Sequence, residues 1–196
     1  MKIGVLGGTF DPPHNGHLAL ARAAIEELTL DEVLFVPTSR NPLRSGPRAT
    51  SARHRLAMVQ AMIADEPKMA ACDIEVIRGG LSYAVETMTE LTVAQPGDYW
   101  FLVGADAVCH FDEWKQPQRL LRLCRLGVVV RPPIDEPTLF RRVPTDFHDR
   151  IDMIPMSPLK LSATDVRDRI SAGLPTGRYL PDSVYAYIKH HHLYNA

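Results

Sequence analysis

The sequence predicts an α/β fold, a Rossmann-like, doubly wound and mainly parallel sheet with helices on both faces. Short apolar runs of strand length alternate with stretches of helical period along the chain. A glycine-rich turn joins the first strand to the first helix. Neither an internal repeat nor a low-complexity tract interrupts the alternation, so residues 1–196 are expected to form a single domain.

Residues 2–7 read as a buried strand, and 16–28 as a helix carrying Leu18, Leu20, Ala21, Ala24 and Ile25 at helical spacing. A second strand over 32–36 ends at Pro37, before a loop over 38–49 rich in Ser, Pro, Arg and Gly that holds Arg40, Arg44 and Arg48. Leu56, Met58, Val59, Met62 and Ile63 put one apolar side on a helix over 51–64. A strand over 72–77 and, after the Gly79-Gly80 break, a helix over 82–93 follow. Runs at 99–104 and 126–130 are strands, separated by a stretch containing Trp114 and a helix over 117–123. The Pro- and charge-rich segment 131–150 reads as a surface helix and loop, with a linker to a second domain as the competing reading. A short strand over 151–155 precedes helices over 162–172, which stops at Gly173, and 181–191, which starts at Pro181-Asp182.

Composition narrows the function. A net charge of -1 lacks the basic field of a non-specific nucleic-acid binder, so any nucleotide handled is expected to be small. No run reaches the roughly 18 apolar residues of a membrane span, and the N-terminus turns glycine-rich before a secretory segment develops, which predicts a cytoplasmic protein. Cys72, Cys109 and Cys124 lack C-x-x-C spacing and are expected to be small buried hydrophobes.

The chemistry is expected at the first turn, Gly7-Gly8-Thr9-Phe10-Asp11-Pro12-Pro13-His14-Asn15-Gly16-His17. Glycines let backbone amides approach an anion, and the following helix offers unpaired N–H groups and a positive dipole end. The turn is neither the dinucleotide fingerprint G-x-G-x-x-G nor a P-loop, which requires Gly-Lys-Ser/Thr. In their place stands His14-x-Gly16-His17, two imidazoles three positions apart with Gly16 leaving room between them. Such donors can follow the charge that grows on a phosphoryl group under attack. A zinc pair and ordinary surface histidines are the competing readings; zinc takes three or four ligands, and no third occurs at a telling spacing. Ser162, Thr164 and Arg167 open a later helix, where hydroxyls, amides and a guanidinium suit a second phosphate, or where Ser162 caps the helix and Arg167 pairs with Asp165 or Asp168. Asp106, past the fourth strand, stands where such folds place a ribose-binding carboxylate, or else caps a helix.

The run from Gly7 to Leu18 resembles the opening of the bacterial nicotinate-nucleotide adenylyltransferases, within the (His/Thr)-x-Gly-His nucleotidyltransferase superfamily. Ser82-Tyr83-Ala84-Val85-Glu86-Thr87, Gly104-Ala105-Asp106 followed by Trp114, and Leu161-Ser162-Ala163-Thr164-Asp165-Val166-Arg167 are similar to further segments of that family in the same order. The ending, from Leu180-Pro181 to Leu193-Tyr194, resembles its last helix. The resemblance implies the nucleotidyltransferase fold and adenylyl transfer from ATP to nicotinate mononucleotide, giving nicotinate adenine dinucleotide and pyrophosphate in NAD biosynthesis. Nicotinamide mononucleotide or phosphopantetheine as acceptor, or a non-catalytic nucleotide-binding module, are the rival readings.

On this resemblance His14, His17 and Arg167 are the catalytic candidates, and Gly8, Thr9, Phe10, Gly16, Arg44, Ser162 and Thr164 the ATP- and phosphate-binding ones. Arg44 falls in Asn41-Pro42-Leu43-Arg44, where the family carries Pro-Pro-His-Lys/Arg; the charge survives and the histidine does not. Thr87, Gly104, Asp106 and Trp114 match the nicotinate-nucleotide and ribose side, with Trp114 stacking on the pyridine ring and Lys115 beside it attracting the carboxylate. Magnesium is expected to ride on the ATP phosphates, with no metal ligand from the protein. The partners expected are these small molecules, with no nucleic acid and no membrane; a homo-oligomer stays open.

Overall fold

The computed structural model describes residues 1–42, 49–130, 134–157 and 161–195. The strands are β1 (Lys2–Gly8), β2 (Glu32–Pro37), β3 (Met69–Ala71), β4 (Asp98–Gly104), β5 (Arg125–Val129) and β6 (Ile151–Met153). Between and after them lie α1 (Asn15–Glu27), α2 (Ala52–Ile63), α3 (Ile74–Arg78), α4 (Ala84–Ala94), α5 (Ala105–Val108), α6 (Pro117–Leu123), α7 (Glu136–Arg142), α8 (Ala163–Ser171) and α9 (Asp182–His190). The strand order is β3-β2-β1-β4-β5-β6, and the β1–β4, β4–β5 and β5–β6 pairs are parallel. This is the doubly wound order, in which ligands gather beyond the carboxyl ends of the strands where the winding reverses.

The chain forms two compact units, each assembled from three segments. One comprises Met1–Gly7, Leu20–Leu34 and Tyr83–Pro158; the other comprises Gly8–Ala19, Phe35–Ser82 and Leu159–Ala196. In the first, Ile3 and Val5 of β1, Leu102 and Val103 of β4, and Leu126 and Val128 of β5 are all buried, as strands covered on both faces require. A polar clasp joins three of its strands. Asp152 of β6 accepts the Trp100 indole N–H of β4 at 2.7 Å and the Arg125 guanidinium of β5 at 2.5 and 2.8 Å. In the second unit, Met58, Val59, Met62 and Ile63 of α2 are buried, and α9 buries Val184 and Ile188.

Element types follow the sequence pattern with one exception. The expected strand over 72–77 is instead α3, with β3 just before it. Strand alternation would expose Glu75, whereas the helix buries it at 5% exposure, near Arg78 at 3.8 Å, and leaves Ile77 76% exposed. Gly79, at φ 71°, ends the helix with its amide on the Glu75 carbonyl, a backbone conformation glycine adopts without steric cost. The stretch 131–150 contributes α7 and a 3-10 turn (Thr145–Arg150) rather than an unstructured linker. Of the cysteines only Cys124 is fully buried; Cys72 and Cys109 are half-buried. Burial pushes the Cys124 thiol up to about 12, so it stays protonated at neutral pH. Among the described residues, no helix is long and apolar enough to cross a membrane.

Candidate active site

The segment after β1 brings the two predicted histidines together. His14 directly precedes α1 and His17 is its third residue, so the backbone turns tightly and the His17 amide donates to the His14 carbonyl at 2.9 Å. The return bond comes from the side chain, with His17 Nδ1 accepting the His14 amide at 3.1 Å. This is the inner half of a capping box with an imidazole in the usual glutamate's place. The rings stack with centroids 3.7 Å apart and 21° between planes, and Phe10 presents an edge to His17 at 4.9 Å. His14 is 7% exposed and His17 half-buried. A Cβ on Gly16 would lie 3.1 Å from Cε1 and Nδ1 of His14, so glycine leaves the space that the ring occupies. A neutral His17 whose Nδ1 accepts must carry its proton on Nε2.

Other groups of the same unit hold this segment in place. Arg55 of α2 is 2% exposed, and its guanidinium donates to the carbonyls of Thr9 (2.6 Å), Thr38 (2.6 Å), Ser39 (3.2 Å) and Thr50 (2.8 Å). The Thr38 amide donates to the Gly8 carbonyl at 2.8 Å. Arg167 of α8 donates to the Asp11 carbonyl at 2.6 Å and to the Thr164 hydroxyl at 3.0 Å, which ties the second predicted phosphate group to the first. Arg167 is thus joined to the loop through Asp11, a carbonyl acceptor that the Asp165 or Asp168 pairing did not anticipate. Ser162 serves as the helix cap. Its hydroxyl accepts the Asp165 amide at 3.1 Å and donates to the Asp165 carboxylate at 2.7 Å, which also accepts the Ser162 amide at 3.2 Å. The capping box occupies the Ser162 hydroxyl, while the first amides of a helix have no partner within it. Thr9 is half-buried, Phe10 buried at φ 51°, and Arg44 lies outside the described residues.

The residues matched to the nicotinate and ribose side all belong to the other unit. Thr87 of α4 is 1% exposed and packed in the interior rather than presented at a surface. Gly104 precedes α5 and Asp106 lies exposed within that helix's first turn, so Asp106 is not its N-cap. The Asp106 carboxylate curls over Gly104, where a Cβ would meet Oδ1 at 2.6 Å. Trp114 is half-buried, its indole edge-on to Phe101 at 5.7 Å and tilted against Phe111 at 5.2 Å. The Lys115 ammonium is 2.5 Å from Glu86 Oε1 and 4.2 Å over the Tyr83 ring. Its charge is matched by Glu86, beside a cleft of about 250 Å³ that Thr89 and Arg119 also line.

Sequence reasoning missed Arg55, although the signal was present. An arginine three and four residues ahead of Met58 and Val59 lies on the apolar stripe of α2, and a buried guanidinium must find acceptors.

A family model described as cytidylyltransferase-like matches residues 5–169. The "probable nicotinate-nucleotide adenylyltransferase" of Bordetella petrii is 40% identical over 197 residues, covering 98% of each chain. That of Herpetosiphon aurantiacus is 38% identical, over 100% of this chain and 99% of its own. A structure titled as the Plasmodium falciparum nicotinic acid mononucleotide adenylyltransferase complexed with NaAD shares the fold with a TM-score of 0.79. It is 18% identical and covers 99% of this chain and 97% of its own. Likeness of this extent, covering both units, shows that the chain belongs to the cytidylyltransferase-like family and, within it, to the nicotinate-nucleotide adenylyltransferases.

Proposed function

We propose that the protein transfers the adenylyl group of ATP to nicotinate mononucleotide, releasing pyrophosphate and forming nicotinate adenine dinucleotide, a cytoplasmic step of NAD biosynthesis. The observation that carries this reading is the stacked His14–His17 pair, in which the His14 amide on His17 Nδ1 assigns the proton of a neutral His17 to Nε2. An Nε2–H donor can follow the negative charge growing on the α-phosphoryl oxygens without changing protonation state. His14 orients the phosphate, and the amides of Thr9 and Phe10 hold the nucleotide phosphate beside it.

The acceptor phosphate is already anionic at neutral pH, so it attacks the α-phosphorus in line without help from a protein nucleophile. The new P–O bond forms as the bond to the β-phosphate oxygen breaks, and the electron pair leaves with pyrophosphate. Arg167 commits two donors to Asp11 and Thr164, and a guanidinium carries five, so it can also meet the β and γ phosphates together with Thr164 and the amides that follow Ser162. Magnesium enters as part of the nucleotide substrate. The donors here are imidazole, guanidinium and amide N–H groups, which suit anions rather than hard cations. Asp106 is assigned to the ribose hydroxyls and the Trp114 face to the pyridine ring.

A pyrophosphate-release assay with ATP, magnesium and a panel of nicotinate mononucleotide, nicotinamide mononucleotide and phosphopantetheine tests the proposal. Turnover is expected with nicotinate mononucleotide and much less with the others. Preference for another acceptor would reassign the substrate, and silence with all three would leave a nucleotide-binding module.

A further inference from the structure

After α9 the backbone enters the left-handed region at His192 (φ 50°), Tyr194 (φ 59°) and Asn195 (φ 63°), a conformation uncommon for an aromatic residue. It does so in a 3-10 turn, Leu193–Asn195, packed against α8 and α9. The turn delivers the Tyr194 hydroxyl to Asp11 Oδ1 at 2.7 Å, while Oδ2 faces the Thr50 amide at 3.4 Å. Asp11 is 4% exposed, and it is the same residue whose backbone carbonyl accepts Arg167 at 2.6 Å. Only Pro12 and Pro13 separate it from His14.

We propose that Tyr194 is a positioning residue for adenylyl transfer, its phenol holding the Asp11 side chain while Arg167 holds the Asp11 backbone, so that the histidine segment is fixed from both sides. The two links do different work. The Arg167 bond restrains only the carbonyl, about which the Asp11 side chain and the prolines beyond it could still turn. The Tyr194 bond, together with the Thr50 amide, limits that freedom and gives the buried carboxylate a hydroxyl donor. Burial and the facing Asp11 carboxylate push the Tyr194 phenol well above its ordinary value, so at neutral pH the proton stays on the tyrosine oxygen, which donates to Asp11. The C-terminal turn is therefore part of the catalytic apparatus without touching substrate. Because the restraint acts on geometry near the reacting phosphorus, its loss should appear in turnover more than in ground-state binding.

This inference rests on the adenylyl-transfer reading of the same loop, and the experiment separates the two. Tyr194→Phe, Asp11→Asn and the double variant are compared with the parent for kcat, for the KM of ATP and nicotinate mononucleotide, and for Tm, with kinetics well below every Tm. Tyr194→Phe is expected to lower kcat about tenfold with each KM within about twofold. The double variant should be no slower than the slower single one within about twofold, since both act through one bond. Parental kcat in Tyr194→Phe, or losses that multiply in the double variant, would overturn the proposal. A lowered Tm with unchanged kcat would reduce Tyr194 to a stabilising role and overturn it equally. If Tyr194→Phe is not recovered folded, Tyr194→Met, which keeps bulk without a donor, must show the same split between kcat and KM. An inactive parent refutes the enzymatic reading itself; an active parent with an unimpaired variant refutes only this inference.

Discussion

His17 Nδ1 accepts the His14 amide and so completes the turn that starts α1, and we propose that Nε2 is the donor to the transition state. Replacing His17 by alanine removes one preorganised donor, a change that costs about two to three orders of magnitude in comparable oxyanion sites. His17→Ala should therefore lower kcat by about 10²- to 10³-fold, measured as pyrophosphate release. Its far-UV circular dichroism should match the parent, because the helix loses one capping bond and the ring contacts to His14 and Phe10 but keeps its own buried apolar face. Near-normal turnover in a folded variant would remove His17 from the chemistry. Lys115, expected beside Trp114 to attract the substrate carboxylate, pairs in the structure with Glu86, 29 positions away.

At the scale of elements, α2 and the β4–β5–β6 edge carry opposite kinds of polar burial. In α2, Arg55 gathers carbonyls from Thr9, Thr38, Ser39 and Thr50, which no single strand or helix could satisfy. Arg55→Met should destabilise the fold by about 3 kcal/mol or more in urea titration, since buried carbonyls lose a charged donor. Arg55→Lys should recover little, because a point charge cannot reach acceptors arranged around a planar fork. A loss below about 1 kcal/mol would show that these carbonyls find water instead. The Asp152 clasp responds to pH. Burial works to raise its carboxyl, but hydrogen bonds from Arg125 and Trp100, with the Arg125 and Arg150 charges, hold it below the usual carboxylate value. A depressed folded-state pKa contributes stability that is present above the unfolded value, near 3.9, and is lost as pH falls through the folded one. Asp152→Asn should thus lower Tm at neutral pH, and the difference from the parent should shrink as pH falls below the unfolded value and through the folded one. A difference independent of pH would assign the effect to packing.

At the scale of the molecule, the two units are interleaved in the chain, and α1 itself crosses from one to the other between Ala19 and Leu20. We propose that they fold as one domain. A unit made of three separate segments gains little by ordering before the others arrive. Denaturation followed by the fluorescence of Trp100 and Trp114, both in one unit, should then coincide with that followed by far-UV circular dichroism. Separated midpoints would assign the units independent stabilities. The alternation of strands and helices and the (His/Thr)-x-Gly-His turn were legible in the residues, because periodicity and glycine placement are local properties of the chain. The segment 72–77, expected as a strand, forms a helix over Ile74–Arg78, because Ile-Glu-Val-Ile fits either period and which face buries depends on what packs there. That His14 stacks on His17 was foreshadowed by their spacing. That Arg55 gathers four carbonyls, that Arg167 and Tyr194 meet at Asp11 from 156 and 183 positions away, and that Asp152 clasps two strands belong to the tertiary structure alone. Hydrogen-bond partners so distant in the chain are chosen by packing, and a sequence records only the donors and acceptors that await them.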